Sequence, residues 1–223
     1  KLDVNGNWLW ANKAGGDNSD TGNGISTDSD GNCYVTGYFL DTATFGATTH
    51  VSSGSSDIFI TGIDTNGNWL WTNRAGGPTT DMGYGISANA EGTCYVTGSY
   101  VGNASFGDTN LTSSGSSDIF VAKIDSDSDW LWAFSAGGTG SDTGNGIATD
   151  PNGNCYITGS FSGTAGFGST NLTSSGGVDI IISKIDPNGN WLWAKRAGGT
   201  GADAGYGDRK STRLNSSHSS PSR

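Results

Sequence analysis

Three observations predict an all-β fold of tandem four-stranded antiparallel blades. The triplet Trp-Leu-Trp begins at Trp8, Trp69, Trp130 and Trp191, each 61 residues after the last. A fixed period of this size marks stacked supersecondary units, each burying its core against its neighbours. Every period also contains four short strand-like runs. Two of the three joints between those runs carry tight turn chemistry, mostly Asn-Gly or Asp-Gly, which closes antiparallel hairpins.

The third period shows the elements most clearly. Strand one is Gly146 to Asp150, followed by the turn Pro151-Asn-Gly-Asn154, where Pro presets the turn entry and Gly accepts a positive φ. Strand two runs from Cys155 to Phe161. A long Gly-, Ser- and Thr-rich connection covers 162–178. Strand three, Asp179 to Asp186, contains an unbroken Ile180-Ile181-Ile182, as in a strand covered on both faces. The turn Pro187-Asn-Gly-Asn190 leads to strand four, Trp191 to Arg196. Four short strands per unit with tight hairpins describe the blade of a β-propeller, and the hairpins argue against a parallel β-helix. The period exceeds the usual ~40–50 residues of propeller repeats, and the surplus lies between strands two and three. The predicted layout is a partial blade at 1–14, whole blades at 24–75, 85–136 and 146–197, and a loop toward a further unit at 198–207. A ring of this length does not close, so further blades of the parent chain are expected partners. Unclosed end faces also predict poor solubility or self-association.

The repeat register breaks at 208. Ile is due after Gly207 and the chain has Asp208, after which nothing matches any unit. Residues 208–223 resemble translated read-through of a sequencing-library adaptor and are expected to be a non-native tail. Without them Lys+Arg falls from 11 to 7 and Asp+Glu from 21 to 20, so the net charge moves from −10 to −13.

Composition excludes several function classes. Gly accounts for 38 of 223 residues and hydrophobic residues for 33 %, as in short strands joined by turns. The acidic balance and the lack of a basic stripe exclude nucleic-acid binding. No apolar run approaches the ~20 residues of a membrane helix, so membrane insertion is not expected. Cys33, Cys94 and Cys155 fall at one strand position per unit. Equivalent positions in stacked units lie beyond the ~7 Å reach of a disulfide, so they read as small buried apolar residues.

Several linked motifs carry a family resemblance. Asp142-Thr-Gly-Asn-Gly-Ile-Ala-Thr-Asp150, Gly153-Asn-Cys-Tyr-Ile-Thr-Gly159, Asp118-Ile-Phe-Val-Ala-Lys-Ile-Asp125 and Asn188-Gly-Asn-Trp-Leu-Trp-Ala194 resemble the SBBP-type β-propeller repeat of bacteria. The resemblance covers 1–207. Where family members carry an aliphatic residue this chain has its cysteines. The resemblance implies a secreted or cell-surface multidomain protein and no agreed enzymatic activity.

The candidate chemistry is sparse. In a regular strand Trp8 and Trp10 face one side with Leu9 opposite, which suits packing between blades or, alternatively, a sugar-stacking platform. Asp20, Asp81, Asp142 and Asp203 recur in the Gly-rich loops before strand one. They read either as Asx-type bonds fixing the loop backbone or as a carboxylate ring binding a polar ligand or a cation, with Ca2+ favoured by oxygen ligands. The segments Asp28-Ser-Asp-Gly-Asn32 and Asp64-Thr-Asn-Gly-Asn68 resemble calcium loops but lack the rest of the pattern and its closing Glu. Asp125-Ser-Asp-Ser-Asp129 drops the Gly, which predicts a looser turn. His50, in a loop where other copies have Leu111 and Leu172, and Glu91, the only Glu, have no partner in the pattern. No catalytic residue and no metal-ligand set can be named, since each recurrent carboxylate repeats in every blade and acid–base chemistry needs distinct roles. The leading expectation is a non-catalytic scaffold that binds a protein or glycan ligand through its loop-rich face, outside the cell or at its surface. A carbohydrate-binding propeller is the alternative, and a glycosidase or lyase with its catalytic blade elsewhere is the third.

Overall fold

Side-chain carboxylates build the turns that set this fold. In the computed structural model, which describes residues 1–207, Asp64 Oδ1 accepts the Asn66 and Asn68 N–H groups, each at 2.8 Å. Its Oδ2 accepts the Asn68 side-chain amide at 2.8 Å. Gly67 takes the left-handed conformation, φ 91°, that the turn requires. Asp3, Asp150 and Asp186 repeat the arrangement. The Asn side-chain bond, helped by the backbone donors, holds all four carboxyls below the usual range. The segments that resemble calcium loops thus spend their oxygens on nearby donors: Asp64 as above, and Asp28 on the Asn32 N–H, the Asn32 side-chain amide and the Tyr34 hydroxyl.

The turn at Asp125 keeps two of its siblings' three bonds: Asp127 and Asp129 donate to Asp125 Oδ1 at 3.0 and 2.8 Å, while Asp129, standing where the others have Asn, has no amide to give Oδ2. Ser128 takes Gly's place by adopting φ 70°, a conformation costing an L-residue roughly 1–2 kcal/mol. Ser128→Gly should therefore raise stability by about 1 kcal/mol, read as a higher urea midpoint with an unchanged slope.

The strands run in blade order. A short β1 (Ala14–Gly15) precedes the first whole blade, β2 (Thr21–Thr27), β3 (Cys33–Phe39), β6 (Asp57–Ile63) and β7 (Trp69–Ala75), paired antiparallel in that order. Within it, β4 (Thr42–Phe45) and β5 (Thr48–Val51) form a separate hairpin. The second blade is β8 (Asp81–Ala88), β9 (Cys94–Tyr100), β12 (Asp118–Ile124) and β13 (Trp130–Gly138), with the hairpin β10 (Asn103–Phe106) and β11 (Thr109–Thr112). The third is β14 (Thr143–Thr149), β15 (Cys155–Phe167), β16 (Thr170–Ile185) and β17 (Trp191–Ala197). Here the hairpin is continuous with the long strands β15 and β16. Among the described residues no sheet closes on itself.

The connection between strands two and three is therefore ordered structure, and it explains the long period. Each hairpin turns through Gly46, Gly107 or Gly168 at φ 61, 59 and 62°. The following residue has negative φ, as in a two-residue type II′ turn. The hairpin then reaches back to the preceding blade. Ala14 and Gly15 pair with Phe45 and Thr44, Gly76 bridges Ser105, and Gly137 and Gly138 pair with Gly166 and Ala165. This latch joins the second and third blades into one continuous sheet.

The core lies between blades. One apolar cluster combines Tyr34, Ile58 and Ile60 of the first blade with Cys94, Val96, Phe106 and Phe120 of the second. The next combines Tyr95, Ile119 and Val121 with Cys155, Ile157, Phe161 and Phe167. Cys94 and Cys155 are fully buried and Cys33 partly so, all three as free thiols.

The tryptophan pairs depart from the expectation that both rings share a face. A bulge at Leu70 shifts the register, so that Ile63 faces Trp69 while its neighbour Gly62 faces Trp71. The same shift occurs at Leu131 and Leu192. The extra residue rotates the strand and puts the two indoles on opposite faces. Trp69 meets Phe45 edge-on at 6.2 Å on the side of the preceding blade, whereas Trp71 lies 5.9 Å from Tyr34 on the side of the next. Each junction between blades receives one Trp from either side, and the bulged leucines are left about half exposed.

Candidate functional site

The four recurrent aspartates sit where the inter-blade loop meets strand one, and each acts as a backbone clamp. Asp81 Oδ2 accepts the Gly77 N–H at 2.7 Å, and Oδ1 accepts that of Val101, just past β9, at 3.2 Å. Asp142 does the same with Gly138 and Ser162 at 2.8 and 3.0 Å, and Asp20 with Gly16 and Leu40 at 2.7 and 3.3 Å. Asp203 keeps the bond to Gly199 at 2.9 Å. Asp81 and Asp142 are completely buried, while Asp20 and Asp203 are partly exposed. Burial pushes the pKa of Asp81 and of Asp142 up to about 6 against the pull of their N–H donors, and a neighbouring aspartate adds to the rise. The aspartates fall one per junction. Among the described residues no group of three or more Asp, Glu, His or Cys side chains converges to hold a metal.

Those neighbours escaped the sequence reading. Asp57 and Asp118 open β6 and β12, Asp179 holds the same repeat position inside β16, and the three are buried beside Asp81, Asp142 and Asp203. In each, Oδ2 accepts a backbone N–H from Ser53, Ser114 or Ser175, and Oδ1 has no hydrogen-bond partner. Arg74 pairs with Asp57 at 2.6 Å and Arg196 with Asp179 at 2.7 Å. The recurrence of these aspartates was visible. Their convergence with the loop aspartates was not, because it follows from how one blade docks on the next.

The loop-rich face is built from the hairpins. Their inward residues hardly change: Ala43, Ala104 and Ala165 with Phe45, Phe106 and Phe167 are all buried. Outward residues vary and, apart from the exposed Val51, are mostly small and polar. Thr44 bonds Thr49, Ser105 bonds Asn110, Thr112 bonds Asn103, and Thr164 bonds Thr173 across the hairpins. His50 is half-buried beside Phe39 and Phe45, and burial depresses its pKa.

A second concave feature lies along the strand-one edges. Bulges after Gly22, Gly83 and Gly144 make Asn23, Tyr84 and Asn145 the extra residues of their strands. Asn23 and Asn145 donate across to the carbonyls of Gly83 and Gly205 at 2.8 and 2.9 Å. With Tyr206 at the equivalent position, these residues and Glu91 line a cleft of about 910 Å³. The alternation of Asn and Tyr at one repeat position was the available signal.

These features define an all-β, propeller-like repeat protein whose ring is unclosed. Residues 10–38 and 136–160 match the SBBP family, described as a beta-propeller repeat. It is also similar to an uncharacterised WD repeat-containing protein of Acanthamoeba polyphaga mimivirus, 25 % identical over 245 residues that cover 90 % of this chain. The chain spans only 17 % of that relative's length. Among solved structures, a protein of unknown function from Bacteroides caccae aligns over 85 % of this chain and 50 % of its own, at 12 % identity and a TM-score of 0.38.

Proposed function

We propose that this chain is a non-catalytic propeller scaffold of a secreted or cell-surface protein, and that it binds a polar protein or glycan ligand through the hairpin-bearing face. One observation carries the reading. The hairpins keep their buried Ala and Phe and vary their outward Thr, Asn, Ser, Asp and Val residues, so a rigid frame presents a changeable surface. Uncharged hydroxyl and amide groups in rows offer donors and acceptors without the desolvation cost of charges.

Trp10, Trp130 and Trp191 favour the frame over a sugar platform, whereas Trp8 is 74 % exposed. Phe106 and Phe167 press edge-on against Trp130 and Trp191 at 5.3 and 5.6 Å. Trp10 Nε1 donates to the Thr65 carbonyl of the next blade at 2.9 Å.

The test is binding of labelled protein to intact cells and to immobilised polysaccharides. A variant with Asn103, Ser105, Asn110 and Thr112 replaced by Ala should lose binding while its circular dichroism is unchanged. Undiminished binding by that variant removes the hairpin face from the reading.

A further inference from the structure

The junction between the second and third blades breaks the repeat in its charges. In the flanking junctions the carboxylate of strand three is neutralised by an arginine of strand four, Asp57 by Arg74 and Asp179 by Arg196. At the middle junction the arginine position holds Ser135. The residue equivalent to Phe39 and Phe161 also changes, to Tyr100. The Tyr100 hydroxyl donates to Ser135 Oγ at 2.7 Å, and Ser135 Oγ donates to Asp118 Oδ2 at 3.4 Å. Two neutral hydroxyls thus stand where a guanidinium stands elsewhere.

The acids remain. Asp118 is 2 % exposed and Asp142 0 %, and among the described residues neither has an ion-pair partner. The Asp142 carboxylate accepts only backbone N–H groups, from Gly138 and Ser162. Asp118 Oδ1 is buried with no donor at all. Both acids border Gly137, where a Cβ would lie 2.8 Å from Asp118 Oδ1 and 2.8 Å from Asp142 Oδ2; Asp57 and Asp179 have the same orphaned Oδ1, but with an arginine on their Oδ2. Two buried carboxylates bordering one space without a counter-charge are strongly unfavourable as they stand. They need one positive charge, and the described residues do not supply it.

We propose that Asp118 and Asp142 bind one hard divalent cation of the Ca2+ type, which clamps the second blade to the third. Ca2+ prefers oxygen ligands, takes carboxylates singly or in pairs, and completes its shell with hydroxyl, carbonyl and water oxygens. The flanking junctions, each holding an arginine, do not bind it.

Calorimetric titration of the purified full chain with CaCl2, and thermal unfolding in Ca2+ against EDTA, test the site. The expected result is one Ca2+ per chain and a melting temperature several degrees higher in Ca2+. Asp142→Asn should abolish both effects. If that variant does not fold, the double variant Tyr100→Phe/Ser135→Arg gives the same reading. It copies the Phe and Arg of the other junctions and should melt identically in Ca2+ and EDTA. Equal melting of the parent chain in both, with no heat of binding, overturns the proposal. So does a response that persists in the double variant, or a stoichiometry of three. Melting that follows pH between about 5 and 7 while ignoring Ca2+ assigns the missing charge to a proton and also overturns it.

Discussion

Gly77→Ala should lower stability by about 3 kcal/mol, whereas Gly199→Ala, at the equivalent repeat position, should leave it unchanged. A Cβ on Gly77 would lie 1.8 Å from the carbonyl oxygen of Asn103, and one on Gly16 or Gly138 would meet Thr42 or Thr164 at 1.8 and 1.9 Å. The obstacle is backbone, so no rotamer change relieves it. It is also the hairpin that latches one blade to the next, through the bridge from Gly76 to Ser105 and the pairing of Gly137 and Gly138 with Gly166 and Ala165. The substitution must push the latch away or strain both strands, which puts the cost at or above the usual ~1–3 kcal/mol of overpacking. Among the described residues no hairpin packs on Gly199, and a Cβ there meets nothing within 4 Å. For a chain of this size, 3 kcal/mol corresponds to a fall in melting temperature of roughly 6–12 °C. Urea and thermal melts of the two variants give the contrast directly. Equal effects at the two positions would mean that the glycines serve backbone freedom rather than the latch.

The sequence showed the latch only in part. Its period, four strands per unit, turn positions and buried cysteines are local or periodic properties, and they can be read from residue spacing alone. The residues Phe45-Gly46, Phe106-Gly107 and Phe167-Gly168 were visibly matched. An apolar–polar alternation over Ala43 to Phe45 before a Gly-led two-residue turn was the available sign of a hairpin. Surrounding Ser, Thr and Gly masked it, because those residues also make up unstructured loops. The bulge at Leu70 had no local sign: Trp-Leu-Trp fits a regular strand, and the register shift is decided by what Trp69 and Trp71 find on either side. The pairing of Asp118 with Asp142 is further from reach still, since it joins residues of two blades through their docking. For the candidate site, then, the residue types were legible and their partners were not. The tail at 208–223 lies outside the described residues.

Phe106→Ala should be the most damaging single truncation, at about 4 kcal/mol. Phe106 is fully buried at the end of β10, packed against Phe120 at 4.9 Å and edge-on to Trp130 at 5.3 Å. Removing a buried aromatic ring costs ~3–5 kcal/mol, from lost transfer energy and the cavity left behind. The upper part of that range applies because neither neighbour is free to collapse. Phe120 sits in the middle of β12, paired on both sides, and Trp130 is held at the bulge. The ring also holds two different elements. It anchors the hairpin to its own blade through Trp130 and seals the junction toward the first blade, where Tyr34, Ile58 and Ile60 belong to the same cluster. Its loss should therefore loosen the hairpin before the blades separate. Trp130 fluorescence, isolated by replacing the other tryptophans with Phe, should shift to the red and become open to acrylamide in the Ala variant under native conditions. In Phe106→Leu, which keeps most of the volume, it should not. A native-like Trp130 signal together with the full loss of stability would place the damage in the blade junction alone, and the hairpin would then be held by its backbone pairing to Gly76 rather than by its ring.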